Sequence, residues 1–159
     1  MTTPDDKSKN NNLLTSDKPL DAEAKRSLEA QISMMTVPQK VELASKGNRE
    51  VRRILSRDAS SMVARAVIIS PQLSDEDIIA FAASSQTNED ILRVISENRQ
   101  WTANKMVVAA LVQNPRTPPP AAIRFIRGYS TSELRILMNN RNVNVVVRQE
   151  AKRLMTQRN

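Results

Sequence analysis

Apolar residues recur at helical spacing along this chain from residue 20 onward. Leu20, Ala24, Leu28, Ile32 and Met35 follow at intervals of four, four, four and three, which lays them on one stripe. Glu23, Lys25, Arg26 and Glu29 occupy the opposite face, and Asp17 before Pro19 offers a cap and first turn. This predicts an amphipathic helix within residues 19–35. Beyond it the pattern is written about three times. First helices carry Val41, Leu43 and Ala44; then Ile78, Ile79, Phe81 and Ala82; then Ile123, Phe125 and Ile126. Second helices open on capping-box-like tetrads ending in Glu50, Asp90 and Glu133, begun by Gly47, Thr87 and Ser130.

Counting from each acid, apolar residues stand at plus one, plus four and plus five: Val51, Ile54, Leu55; Ile91, Val94, Ile95; Leu134, Leu137, Met138. Three such matches, 40 and then 43 residues apart, define a repeat. Third helices are predicted at residues 60–70, 102–113 and 142–155, the middle one longer by a turn. Met106, Val107, Ala110 and Leu111 point inward in the middle one, and Val143, Val147, Ala151 and Leu154 in the last. Pro71 and Pro115 end their helices, because proline lacks the next backbone donor and disfavours the α conformation before it.

The expected fold is therefore all-α: a short solenoid of repeats over residues 36–70, 71–114 and 115–159, with residues 19–35 as an N-terminal capping helix. Residues 1–18 contain only Leu13 and Leu14 as sizeable apolar groups besides Met1, too little buried surface to offset the entropy of ordering, and are expected to form a disordered polar arm. Composition agrees. Aromatic residues make up 3% of the chain and there are two glycines, which favours thin aliphatic helical layers over sheets and tight hairpins.

The stretch Val112-Gln-Asn-Pro-Arg-Thr-Pro118, followed by Ile123-Arg-Phe-Ile126 and two further helices, resembles bacterial HEAT-like repeats, including the variant leucine-rich type with an Asn-Pro-x-Thr-Pro turn. The resemblance extends over residues 36–155, is weaker at Ser70-Pro71-Gln-Leu-Ser74 and is poor at Pro38. It implies an α-solenoid of the kind that serves as a platform for proteins. Some variant leucine-rich proteins also carry an iron–sulfur cluster on cysteines; this chain has no cysteine, so that feature does not carry over.

Charge then narrows the partner class. The chain carries net +7, unevenly: residues 1–36 hold five Lys/Arg and six Asp/Glu, whereas residues 116–159 hold nine Lys/Arg and two Glu. A field of this sign speeds association with anionic partners. Arg52, Arg53, Arg93 and Arg135, at plus two and plus three of the second helices, together with Arg57, Arg124, Arg127 and Arg141, form a possible arginine-rich ridge. Guanidinium suits carboxylates and phosphates alike. An acidic protein partner is the first expectation, sequence-independent DNA or RNA binding the second, and a solvated face with pairs such as Glu50–Arg53 and Glu89–Arg93 the bland alternative.

Histidine and cysteine are both absent, which removes imidazole bases, thiolates and the usual zinc sets; no enzyme, cofactor or metal is expected. The start lacks a signal-peptide pattern and no run of about 18 apolar residues occurs, so a cytoplasmic monomer, or a weakly self-associating one, is the default. Other features have plain structural readings. Asp75-Glu76-Asp77 complements a helix dipole, Pro118-Pro119-Pro120 leads into a helix, Met34-Met35 fills core, and Trp101 packs as a lid.

Overall fold

A computed structural model describes residues 13–159, and all regular structure among them is helical. The chain divides into two compact units, Met1–Leu73 and Ser74–Asn159.

In the first unit, α1 (Ala22–Ser33), α2 (Val37–Lys46), α3 (Arg49–Leu55) and α4 (Ser61–Ile68) pack with α2 against α4 and α1 against α3. Of the α1 stripe, Leu28 and Ile32 are buried and Ala24 is half-buried, while Leu20 and Met35 fall outside the helix, which starts later than Pro19, and Met34, expected to fill core, is exposed. Asp21, not Asp17, is the cap, and its carboxylate accepts from Ala24 N at 2.8 Å. Thr36 and Gln39 form a reciprocal box around the start of α2, which tolerates Pro38 in its first turn. Lys40 on α2 pairs with Asp58 in the α3–α4 turn at 2.6 Å, and Asp58 also accepts from Ser60 N at 2.9 Å.

Burial raises the pKa of Asp58, but the Lys40 ammonium and the Ser60 N–H outweigh it and hold the carboxyl below its ordinary value. A carboxylate held down in the fold contributes stability above its unfolded pKa, and loses it as pH falls through the folded one. Asp58→Asn is therefore expected to cost about 1 kcal/mol at pH 7 in urea unfolding. The difference from wild type should shrink once the pH falls below the ordinary aspartate pKa of about 3.9 and vanish below the lowered one of the folded protein.

Residues 13–15 are helical, and the end of the predicted polar arm is tied down. Asn48 N donates to Leu14 O at 2.8 Å, and the Asn48 amide donates to the carbonyls of Leu13 and Ser16 at 2.7 and 2.8 Å. The expectation of disorder for residues 1–12 lies outside the described residues.

The second unit holds α5 (Asp75–Ala83), α6 (Glu89–Glu97), α7 (Arg99–Thr102), α8 (Lys105–Gln113), α9 (Pro119–Ile126), α10 (Thr131–Met138) and α11 (Val145–Arg158). Helix α8 packs against both α5 and α9, and α11 packs against α9 and α10. Val112, Ala122, Ile126, Leu134, Leu137, Val143, Val147 and Ala151 form one buried cluster, with Phe125, Met138 and Leu154 packed on it. The inward face predicted for the last helix is thus the observed one. The aliphatic triplets are buried at Val51, Leu55, Ile91, Ile95, Leu134 and Leu137, while Ile54, Val94 and Met138 are half-buried.

Several local expectations are corrected. Only Ser130–Glu133 forms the predicted box at a second helix. At the other two, the asparagine one position later caps instead: Asn48 accepts from Val51 N, and Asn88 from Asp90 N. Thr87 turns inward and donates its hydroxyl to Phe81 O at 2.7 Å. An asparagine reaches a nearby N–H that glycine has no side chain to reach, and a threonine buried at the end of α5 serves better as a donor to an otherwise unpaired carbonyl. The middle third helix, expected from residue 102, is α8 alone, capped by Asn104 and starting at Lys105, and the single turn α7, capped by Asn98, precedes it as a separate piece. Met106, predicted inward, is exposed, and α8 turns Val107, Leu111 and Val112 to the core. The three prolines lead into α9 as expected, with proline in its first turn.

Candidate functional site

The eight arginines proposed from the sequence fall in different environments, three in the first unit and five in the second. Arg52 is buried, and its guanidinium donates to Gly47 O at 3.0 Å, so it does not belong to an exposed ridge. The reason is the width of the buried arc. Helix α3 packs against α1, α2 and α4 and buries plus one, two, five and six (Val51, Arg52, Leu55, Ser56), whereas α10, packed chiefly on α11, buries only plus one and plus four. Arg53 is exposed and lies 3.6 Å from Glu50, while Arg57 lies 3.7 Å from Glu29 and links α3 to α1.

In the second unit, Arg93 pairs with Asp90 at 3.3 Å and not with the Glu89 expected from the sequence. Arg124 on α9 donates to Ser96 O, at the end of α6, at 3.0 Å, and its guanidinium carbon sits 5.3 Å from the Phe125 ring centroid. Arg127, Arg135 and Arg141 are exposed on or beside α9, α10 and the α10–α11 loop. The Arg127 carbonyl accepts from Arg158, which also donates to Tyr129 O, so the C-terminal helix covers the unpaired end of α9.

Few acids oppose this group. Residues 98–132 contain none, and the two that follow are engaged: Glu133 in the Ser130 box, and Glu150 in a two-pronged pair with Arg153 at 2.8 and 2.5 Å. The Arg153 hydrogen bond holds the Glu150 pKa below its usual value, so this carboxylate stays ionised and occupied. Burial, with Glu133 nearby, raises the Tyr129 pKa and keeps its phenol neutral.

A groove of about 780 Å³ that the sequence reading did not single out also lies in the second unit. Met106, Ala109, Ala110 and Gln113, one face of α8, form its floor; Ala83 and Ser85 line one side, and Asn140 and Asn142 the other. Its signal was the spacing 106, 109, 110, 113, which reads equally well as a poor core face. Arg141 stands between two lining residues. Trp101 borders a cavity of only about 70 Å³ with Asp75, Ile78 and Val107, in keeping with a packing role. Among the described residues no cluster of acidic, histidine or cysteine side chains is placed to hold a metal, and no helix is long and apolar enough to cross a membrane. In the acidic triplet, Asp77 is buried in a capping box with Ser74.

No family model, curated protein or solved structure matches this chain.

Proposed function

We propose that this protein is a non-catalytic binding platform of the cytoplasm, a short α-solenoid of HEAT-like repeats whose basic, arginine-rich face holds an acidic protein partner. The observation that carries the reading is Arg127, Arg135 and Arg141. They are exposed on successive elements of one compact unit, within residues 98–159, where eleven Lys/Arg stand against two engaged glutamates. Solvent-exposed arginine in such a field favours carboxylate-bearing surfaces, which it meets in two-pronged contacts. The solenoid reading draws support from the buried aliphatic triplets and from α8 lying against both α5 and α9. Arg52 drops out of the partner-binding set, and Arg53, Arg57, Arg93 and Arg124, which already have neighbours, take secondary places.

Sequence-independent binding of duplex DNA or RNA through the same arginines is the rival reading, favoured by the same charge imbalance. Single strands suit the surface poorly: Phe81 is in the core, Phe125 packs on the buried cluster, and Trp101 and Tyr129 are half-buried, so no fully exposed ring stands ready to stack a base.

The test is a nuclease-treated pull-down, alongside titration of random-sequence duplex at low salt. The expected result is one dominant acidic protein, with affinity reduced at least about tenfold by the triple substitution Arg127→Glu, Arg135→Glu, Arg141→Glu. Recovery of nucleic acid alone, with steep salt dependence, transfers the site to the rival. Sedimentation should show a monomer or a weak, concentration-dependent dimer.

A further inference from the structure

The groove beside α8 offers a kind of recognition that the arginines do not. Its floor carries the methyl groups of Ala109 and Ala110, so another chain can lie close to the helix. Around that floor stand amides. Gln113 and Asn142 are exposed, and Asn140, whose Oδ1 accepts from Asn142 N at 3.0 Å, keeps its NH2 for a further partner. Asn114 also lines the groove, but its NH2 is committed to two main-chain carbonyls.

A side-chain amide both donates and accepts, and an extended peptide presents unpaired N–H and C=O groups in alternation. A helix has already paired those groups internally. A phosphodiester backbone offers acceptors without the matching donors.

The charges around the groove narrow the choice further. No Asp or Glu lines it, and Lys105, Arg116 and Arg141, the neighbours in sequence of the lining residues Met106, Pro115, Asn140 and Asn142, are all exposed. From Met106 to Gln113 the floor runs roughly 10 Å at the helical rise, the reach of about three extended residues.

We infer that this groove holds an extended acidic segment of a partner protein, its central main chain bonded to the amides of Gln113, Asn140 and Asn142 and its flanking carboxylates to Lys105, Arg116 and Arg141. The inference rests on the platform reading above and assigns that platform a mode of recognition.

The probe is a library of synthetic octapeptides with randomised central residues between glutamate pairs, titrated into the full chain at about 50 mM salt, where screening is moderate. Selected peptides should bind in the micromolar range and lose about tenfold or more in affinity when the central amides are N-methylated. Ala109→Phe, which fills the floor, should produce a loss of similar size. The pair Gln113→Ala, Asn142→Ala, both exposed, should do so without altering helix content, and serves as the check should Ala109→Phe disturb the fold.

Peptides insensitive both to N-methylation and to the amide substitutions would overturn the groove while leaving a charge-only platform. The same division holds if no peptide is retained at low salt while the pull-down still recovers an acidic protein. Loss of both overturns both readings. Duplex DNA that binds and is weakened by the amide substitutions would assign the groove to nucleic acid and overturn the peptide occupant.

Discussion

Asn114→Ala is expected to lower the stability of the unit Ser74–Asn159 by about 2–5 kcal/mol, read from the urea midpoint followed by helical circular dichroism. Asn114 is buried, and its NH2 donates at 2.8 Å to each of two carbonyls at the end of α5, Ala82 O and Ser84 O, while its Oδ1 accepts from Arg116 N at 2.9 Å. Alanine removes all three bonds; the one to Ala82 O is buried and leaves an unpaired carbonyl, while those to Ser84 O and from Arg116 N are half-buried at the edge of the groove and recover part of the loss from water. Each such orphan costs about 1–3 kcal/mol, which sets the range. Asn114→Asp should be no better, because it keeps the acceptor for Arg116 N but turns a donor toward two carbonyls into an acceptor. Asn48 makes the same two-carbonyl contact in the first unit, with Leu13 O and Ser16 O. There Asn48→Ala should cost less, about 1–2 kcal/mol, because both of those bonds are part-buried and water can replace them in part. A change below about 0.5 kcal/mol at Asn114 would show that these bonds are replaced by water.

Gly47→Ala should destabilise the first unit by about 1–3 kcal/mol, although its backbone is ordinary extended chain. The cause is space. A Cβ there would lie 2.3 Å from Val51 Cγ1, 2.7 Å from Val51 Cβ and 3.0 Å from Leu43 O. Val51 is fully buried and cannot swing outward, and the Leu43 carbonyl already accepts from Gly47 N at 2.7 Å. A double-mutant cycle isolates the effect. If the clash is with Val51, Gly47→Ala in a Val51→Ala background should cost at least about 1 kcal/mol less than in wild type. Gly128→Ala supplies the contrast: the added atom would meet only Phe125 O at 3.7 Å, an ordinary contact, and should change stability by about 0.5 kcal/mol or less. Equal losses at both glycines would overturn the steric account, because the entropy effect of replacing glycine favours the folded state at both positions.

Much of the helical architecture could be read from local pattern. The spacing of Val143, Val147, Ala151 and Leu154 placed the inward face of the last helix, and the plus-one residues Val51, Ile91 and Leu134 proved buried in every copy. These readings rest on rules that act within a few residues: periodicity, the missing donor of proline, and the reach of Ser130 and Glu133 across one turn. Where two local solutions compete, the same rules failed. Gly47 and Asn48, like Thr87 and Asn88, both stand near a helix start; glycine has no side chain to cap with, and Thr87 is drawn inward to the Phe81 carbonyl, so the asparagine caps in each case.

The site was less legible than the fold. Arg52 and Arg53 are neighbours of identical chemistry, yet one is buried against Gly47 O and the other is exposed, because α3 has helices on more sides than its sequence period reveals. Met106 and Ala110 read as core and instead line a groove, because a small rotation of α8 decides which apolar edge faces inward.

By itself the sequence determined that the chain would be helical, where most helices would end, and that its C-terminal third would carry a positive field, since periodicity, proline and charge are properties of local order and count. Only the tertiary structure decided which arginines remain exposed, that Asn48 and Asn114 each hold two carbonyls about 30 residues away in sequence, and that one face of α8 stays open. Those outcomes depend on the number and angle of neighbouring helices, which local spacing does not encode.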